Sequence, residues 1–166
     1  MQKTLVQESH RTPQTNNINI LQWNCQSVLN KTHELLNITH NVDILILVGT
    51  WLKPQVLFRL RNYNIIRRDR LAHTGGGVCV CVRKNIEYQI IKEIFNDEDS
   101  LQTVAITINF EHIQLLITAI YRPPNSRITP EKWGKLFQTL SKFPAVIAAG
   151  DYNCHHPAWG ESKEAG

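Results

Sequence analysis

Residues 145–153 read Ala-Val-Ile-Ala-Ala-Gly-Asp-Tyr-Asn (AVIAAGDYN), and the reading of this stretch decides the fold. Five apolar residues from Ala145 to Ala149, with no polar alternation, have the pattern of a strand buried on both faces. In open α/β sheets, functional groups gather beyond the carboxyl ends of the strands. Gly150-Asp151-Tyr152-Asn153 stand at such an end. Asp151 and Asn153, two residues apart, can point to one side of an extended loop. A carboxylate there can take a proton from water, and an amide can donate to a developing phosphorane oxygen. Gly, Asp and Asn are also common loop formers, so on these four residues alone an Asx-turn is the favoured reading.

Working outward, Thr129-Pro130-Glu131 supplies an N-cap, a proline at the first helical position and an acid in the first turn. The helix it opens is expected to run to about Leu140, with Pro144 ending the connection to the strand. Val104, Ile106, Ile108 and Phe110 alternate with Ala105, Thr107 and Asn109, the pattern of a half-buried strand. Glu111-His112 can turn it into Ile113–Tyr121 as a hairpin. Asp43–Val48 (DILILV) is another continuous apolar run and another doubly buried strand. Between these lie strand candidates at Asn64–Arg68, Val78–Val82 and Glu87–Ile91. Gly75-Gly76-Gly77 precedes Val78 with no helix pattern after it, which favours a turn or close backbone approach over a phosphate cradle. Ile18 to Trp23 is an extended apolar segment. After Ser27, Leu35, Ile38 and Val42 fall at i, i+3 and i+7, predicting a helix of about three turns. Residues 1–17 read as a flexible polar leader. The order is β-α-β, a block of strands, then α-β: a mixed α/β chain.

Composition sets limits on function. The chain has 166 residues, 42% hydrophobic and 19% charged, which excludes wholesale disorder. The longest apolar stretches are too short or too interrupted to span a bilayer, so no membrane partner is expected. Net charge is +4 with a pI near 9.0, which suits a polyanionic partner without requiring one. Arg59, Arg61, Arg67, Arg68 and Arg70, then Arg83 and Lys84, form a basic stretch. A solvated surface is its favoured reading, and a phosphate-tracking surface the sharper one. Cys25, Cys79, Cys81 and Cys154 lack zinc-site spacing and are expected to be reduced thiols inside a cell. Cys79 and Cys81 alternate with valines and would share one face as small fillers. His155 and His156 beside Cys154 cannot both aim at one ion, and Trp159 reads as a core or lid residue. His33, His40, His73 and His112 join no constellation.

Two more apolar strands end in polar groups: Trp23-Asn24, and Tyr121-Arg122-Pro123-Pro124. With Asp151, three separate strands finish in side chains able to contact a phosphate. The segments LQWNCQS (21–27), DILILVGTWL (43–52), IIRRDR (65–70) with GGGVCVCVRK (75–84), AIYRPP (119–124) and AAGDYNCHHPAWG (148–160) occur in this order. In this they resemble the endonuclease/exonuclease/phosphatase superfamily, and most closely the endonuclease domain of jockey-like non-LTR retrotransposons. The resemblance covers nearly all of residues 18–160.

It implies a four-layered α/β sandwich, two face-to-face sheets with helices outside, and Mg²⁺-assisted (or Mn²⁺-assisted) cleavage of a phosphodiester in DNA. Asp151 would orient or deprotonate the attacking water and Asn153 would stabilise the pentacovalent transition state. Tyr121 would contact the scissile phosphate, and Asn24 would organise the metal and acid cluster. A reverse transcriptase domain on the same chain and a nuclear location are implied as well. Two departures argue against full activity. Gly49 stands where the family has a metal-ligating glutamate, and Gln26 where apurinic endonucleases carry an acid, so the Mg²⁺ site should be weakened or lost. Relatives continue to a Ser-Asp-His motif, so residues 18–166 would be the N-terminal portion of the domain, with the C-terminal part missing. Loss of that part should leave the inner face of the first sheet exposed. The expectation is a degenerate or truncated DNA-nicking domain. The alternatives are a non-catalytic nucleic-acid-binding remnant and a phosphatase of the same superfamily.

Overall fold

The computed structural model describes residues 17–71, 74–97, 100–124 and 126–154. The polar leader up to residue 16, His73, His155, His156 and Trp159 lie outside the described residues. Strands β1 (Ile20–Asn24), β2 (Ile44–Val48), β3 (Tyr63–Arg68) and β4 (Val78–Arg83) form one sheet in the order β1-β2-β4-β3. Strands β5 (Gln89–Ile91), β6 (Gln102–Phe110), β7 (Ile113–Tyr121) and β8 (Ala145–Asp151) form the second, in the order β5-β6-β7-β8. Each sheet carries one parallel pair, β1 with β2 and β7 with β8, beside antiparallel neighbours.

The alternation of side chains sorts residues into layers. Ile44, Ile46 and Val48 pair with Val82, Val80 and Val78 and point inward, against Val104, Ile106, Ile108, Ile117, Ala119 and Tyr121 of the second sheet. The odd residues Leu45, Leu47, Cys79 and Cys81 point outward, under Leu35 of α1 (Thr32–Ile38). On the far side, Ala105, Leu116 and Ile120 lie beneath Leu136 and Leu140 of α2 (Pro130–Leu140). Helix, sheet, sheet, helix: the four-layered sandwich is present. Cys79 and Cys81 share the outward face as expected, both buried and free, with their sulfurs 3.5 Å apart.

Local chemistry explains the ends of these elements. Thr129 Oγ1 accepts from the Lys132 backbone N–H at the start of α2, and Pro130 follows it. Glu111 and His112, at φ +47° and +69°, make the two-residue turn between β6 and β7. Such a pair of left-handed residues matches the twist of a tight hairpin.

Four expectations need correction. The first helix is shorter than three turns: a 3-10 turn (Val28–Lys31) precedes the seven-residue α1, neither start has a side-chain cap, and Val42 lies beyond the helix. Strand β6 is buried on both faces as far as Ile108, because Thr103, Ala105 and Thr107 are small enough to pack beneath the outer layer. Strand β8 is not doubly buried: it lies at the edge of its sheet, and Val146 is exposed. The inner face of the first sheet is not exposed, because β5–β8 cover it: Ile44, Ile46, Val48, Val78, Val80 and Val82 are fully buried, and Ile20 and Ile66 are partly buried.

Candidate active site

Both parallel pairs run their carboxyl ends to the same rim, so Asn24, Gly49, Tyr121 and Asp151 stand there together. Across the two sheets, Asn24 Nδ2 donates to Asp151 Oδ2 at 2.8 Å. Within the second sheet, Tyr121 and Asp151 are register partners. Gly150 makes that register possible. A Cβ at this position would sit 1.7 Å from the Ile120 carbonyl oxygen, so only glycine lets β8 lie this close to β7.

Beyond the strand, the loop turns on Asp151. The Asn153 backbone N–H donates to Asp151 Oδ1 at 3.0 Å, which is the Asx-turn geometry, and Asn153 has φ +44°. The turn and the rim position coexist. Each carboxylate oxygen of Asp151 therefore accepts one hydrogen bond and keeps acceptor capacity facing outward. The Asn153 side chain is directed elsewhere: its Nδ2 donates to the Arg122 carbonyl at 2.6 Å. Tyr152 points the opposite way, stacking on Trp133 of α2 and donating to the Ala148 carbonyl. Asn24, Tyr121 and Asp151 are brought together; the Asn153 amide is close but committed to a backbone partner.

Tyr121 is buried at the inner edge of the rim. Burial raises its hydroxyl pKa, Arg70 lowers it and Asp151 raises it, leaving it above the ordinary tyrosine value. The phenol is thus a neutral donor at neutral pH. Its ring edge packs against the glycine loop: a Cβ on Gly76 would lie 2.8 Å from Arg70 Cδ and 3.1 Å from both Tyr121 Cε1 and Gln102 Oε1. Gln102 Oε1 accepts from the Gly77 N–H at 2.7 Å, and the Trp51 N–H donates to the Gly76 carbonyl at 2.9 Å. Gly75–Gly77 is therefore a close backbone approach, strapped to both sheets.

The fit of a divalent ion is testable from the donor set. Asp151 offers a carboxylate and Asn24 an amide oxygen. Asn24 Oδ1 faces Gly49, where an added Cβ would lie 2.8 Å away. A side chain at position 49 would enter the rim, but glycine brings no oxygen. Among the described residues no group of three or more His, Cys, Asp or Glu converges on one point. One carboxylate and one amide do not by themselves make a full hard-oxygen shell, so the residues present do not fit a tight Mg²⁺ site.

The basic stretch divides once its partners are visible. Arg67 Nη2 donates to the Val56 carbonyl and pairs with Asp69; Arg68 Nε donates to the Thr103 carbonyl across the sheets. Arg83 bonds Asp43 and the carbonyls of Thr39, His40 and Val42, and its guanidinium lies over the Tyr63 ring. These three clamp the fold. Arg70 instead reaches the rim, as does Gln102, and the sequence reading singled out neither for the site. The signal was there for Arg70, the last arginine of the basic stretch before the triple glycine. Gln102, the first residue of β6, carried none.

Comparison with known proteins agrees with this geometry. The model of the endonuclease/exonuclease/phosphatase family matches residues 21–162. An RNA-directed DNA polymerase from the mobile element jockey of Drosophila funebris is 27% identical over 126 residues, covering 75% of this chain and 13% of that protein. A probable RNA-directed DNA polymerase from transposon BS of Drosophila melanogaster is 25% identical over 152 residues, covering 89% of this chain and 16% of that one. The chain thus spans less than a fifth of these curated relatives. Among solved structures, the endonuclease domain of TRAS1, a telomere-specific non-LTR retrotransposon, superposes with a TM-score of 0.66 at 16% identity, over 86% of this chain and 64% of that one. An AP endonuclease from Archaeoglobus fulgidus gives 0.55 at 18% identity, over 86% and 63%. At such identities these two likenesses concern the fold.

Proposed function

The chain belongs to the endonuclease/exonuclease/phosphatase family, and on that premise we propose that it is the DNA-nicking domain of a jockey-like non-LTR retrotransposon, with metal binding weakened at Gly49. The observation that carries this reading is the Asn24–Asp151 hydrogen bond, which joins the ends of two strands 127 residues apart at one rim. Asp151, held by Asn24 and by the Asn153 N–H, orients a water and accepts its proton. Tyr121 donates its phenolic hydrogen to a non-bridging oxygen of the phosphodiester. Asn153 takes part by releasing the Arg122 carbonyl and turning its amide toward the developing charge. A divalent ion, where bound, would offset negative charge on the phosphate, with Asp151 and Asn24 as its holders on this chain. The curated relatives, RNA-directed DNA polymerases of mobile elements, support a reverse transcriptase on the same polypeptide, and a nuclear DNA target belongs to the same proposal.

The test is nicking of supercoiled plasmid by the full chain across a range of Mg²⁺ and Mn²⁺ concentrations. Slow nicking that still rises in the millimolar range and disappears in D151A is expected. Nicking indifferent to D151A would refute the assignment. The bare position 49 favours one second reading, a nucleic-acid-binding remnant, which salt-dependent DNA binding without any cleavage would select.

A further inference from the structure

We propose that Arg70 is a phosphate-binding residue of this site, its guanidinium donating to the phosphodiester oxygen that lies beside the Tyr121 hydroxyl. The assignment rests on the phosphodiester reading given above and adds a cation that the strand-end residues do not provide.

Placement comes first. The Arg70 carbonyl accepts from Lys53 Nζ at 2.8 Å, which fixes the backbone just past the end of β3. Arg70 Cδ and the Tyr121 ring edge both come within 3.1 Å of where a Gly76 Cβ would stand, so the missing side chain leaves the channel for the arginine stem. The stem therefore runs along the glycine loop to the rim, and Tyr121 lies within the field of both Arg70 and Asp151.

Satisfaction comes second. Arg70 Nε is buried and has no hydrogen-bond partner among the described residues. Arg67 and Arg122 also hold one orphaned nitrogen each, but their Nη2 atoms are bonded to the carbonyls of Val56 and Ser126. A buried donor without an acceptor costs about 1–3 kcal/mol, so an arginine kept in this state points to an acceptor that arrives from outside. The planar fork of a guanidinium matches two phosphate oxygens, and its charge is opposite to theirs. Among the described residues Asp151 is the one carboxylate at the rim, and none of them forms a salt bridge with Arg70.

Dimethyl phosphate, a bare phosphodiester, is a suitable probe for the full chain. The Nε–Hε nuclear magnetic resonance signal of Arg70, assigned through its own side chain in the wild-type protein, should shift saturably with the probe. R70K keeps the charge but loses the fork, and should weaken probe binding roughly tenfold, which corresponds to about 1.4 kcal/mol. Three results would overturn the proposal, and they differ in what else they remove. Shifts at the Asn24 amide and Tyr121 with Arg70 unmoved would make Arg70 a packing residue while sparing the phosphodiester reading. Unchanged probe affinity in a folded R70K would do the same. No shift at any of the three would remove the phosphate site itself.

Discussion

The two parallel strand pairs are the same device used twice. In β1–α1–β2 and in β7–α2–β8, a helix crosses outside its sheet and returns the chain beside its starting strand. Their four carboxyl ends share one rim, yet they do not contribute equally. The second sheet ends in Tyr121 and Asp151, a hydroxyl donor and a carboxylate. The first ends in Asn24 and then Gly49, an amide and a bare position. In each pair the central strand, β2 or β7, is the better buried, and the edge strand, β1 or β8, is partly exposed; the first edge strand ends in an amide and the second carries the acid. Packing and function are set by different residues of one motif, so one can decay while the other persists.

The two glycines at these ends should break this comparison most sharply. G150A drives a Cβ into the Ile120 backbone and is expected to cost on the order of 4 kcal/mol or more, read as loss of the cooperative thermal transition. G49A meets the movable end of Asn24 from a left-handed backbone, φ +64°, and should cost about 1–2 kcal/mol. Equal losses would mean that the two ends are built alike. Next in size is the chemistry itself. D151A should lower nicking by about 10²–10⁴-fold, the usual range for a positioned general base. N24A should lower it less, since it removes only one of the two donors that hold the carboxylate. The reverse order would place the essential group on the first sheet.

The smallest effect concerns the first sheet alone. Burial pushes the Cys25 thiol from 9.0 up to about 11, with its Sγ against the Val48 carbonyl. A raised folded-state pKa means that unfolding releases a proton between those two values. The stabilising contribution is full below pH 9 and declines as pH rises toward 11. The difference between wild type and C25A in urea denaturation should therefore shrink over that range. A difference that grows with pH would contradict the burial argument.

Much of this was legible in the residues. Periodicity placed β2, β4, β7 and α2, and the Thr129-Pro130-Glu131 start was found at its cap. The strand-end positions of Asn24, Tyr121 and Asp151 could be read because an apolar run stopping at a polar residue is a local signal. What failed was non-local. Whether β8 is central or at an edge depends on strand order, and whether β6 is half or fully buried depends on what covers its second face. The orientation of the Asn153 amide depends on Arg122, 31 residues earlier. Arg70 could not be separated from its neighbours until Val56, Asp69 and Thr103 were seen to occupy the others.

The central claim is that, among the described residues, a single carboxylate serves this rim, with Asn24 as its partner and no side-chain oxygen from position 49. Paramagnetic broadening by Mn²⁺ of the Asn24 side-chain amide signals reads that directly. Weak, millimolar broadening centred on Asn24 and Asp151, and abolished in D151N, is the predicted result. Tight micromolar binding there, or broadening that survives D151N, would contradict it.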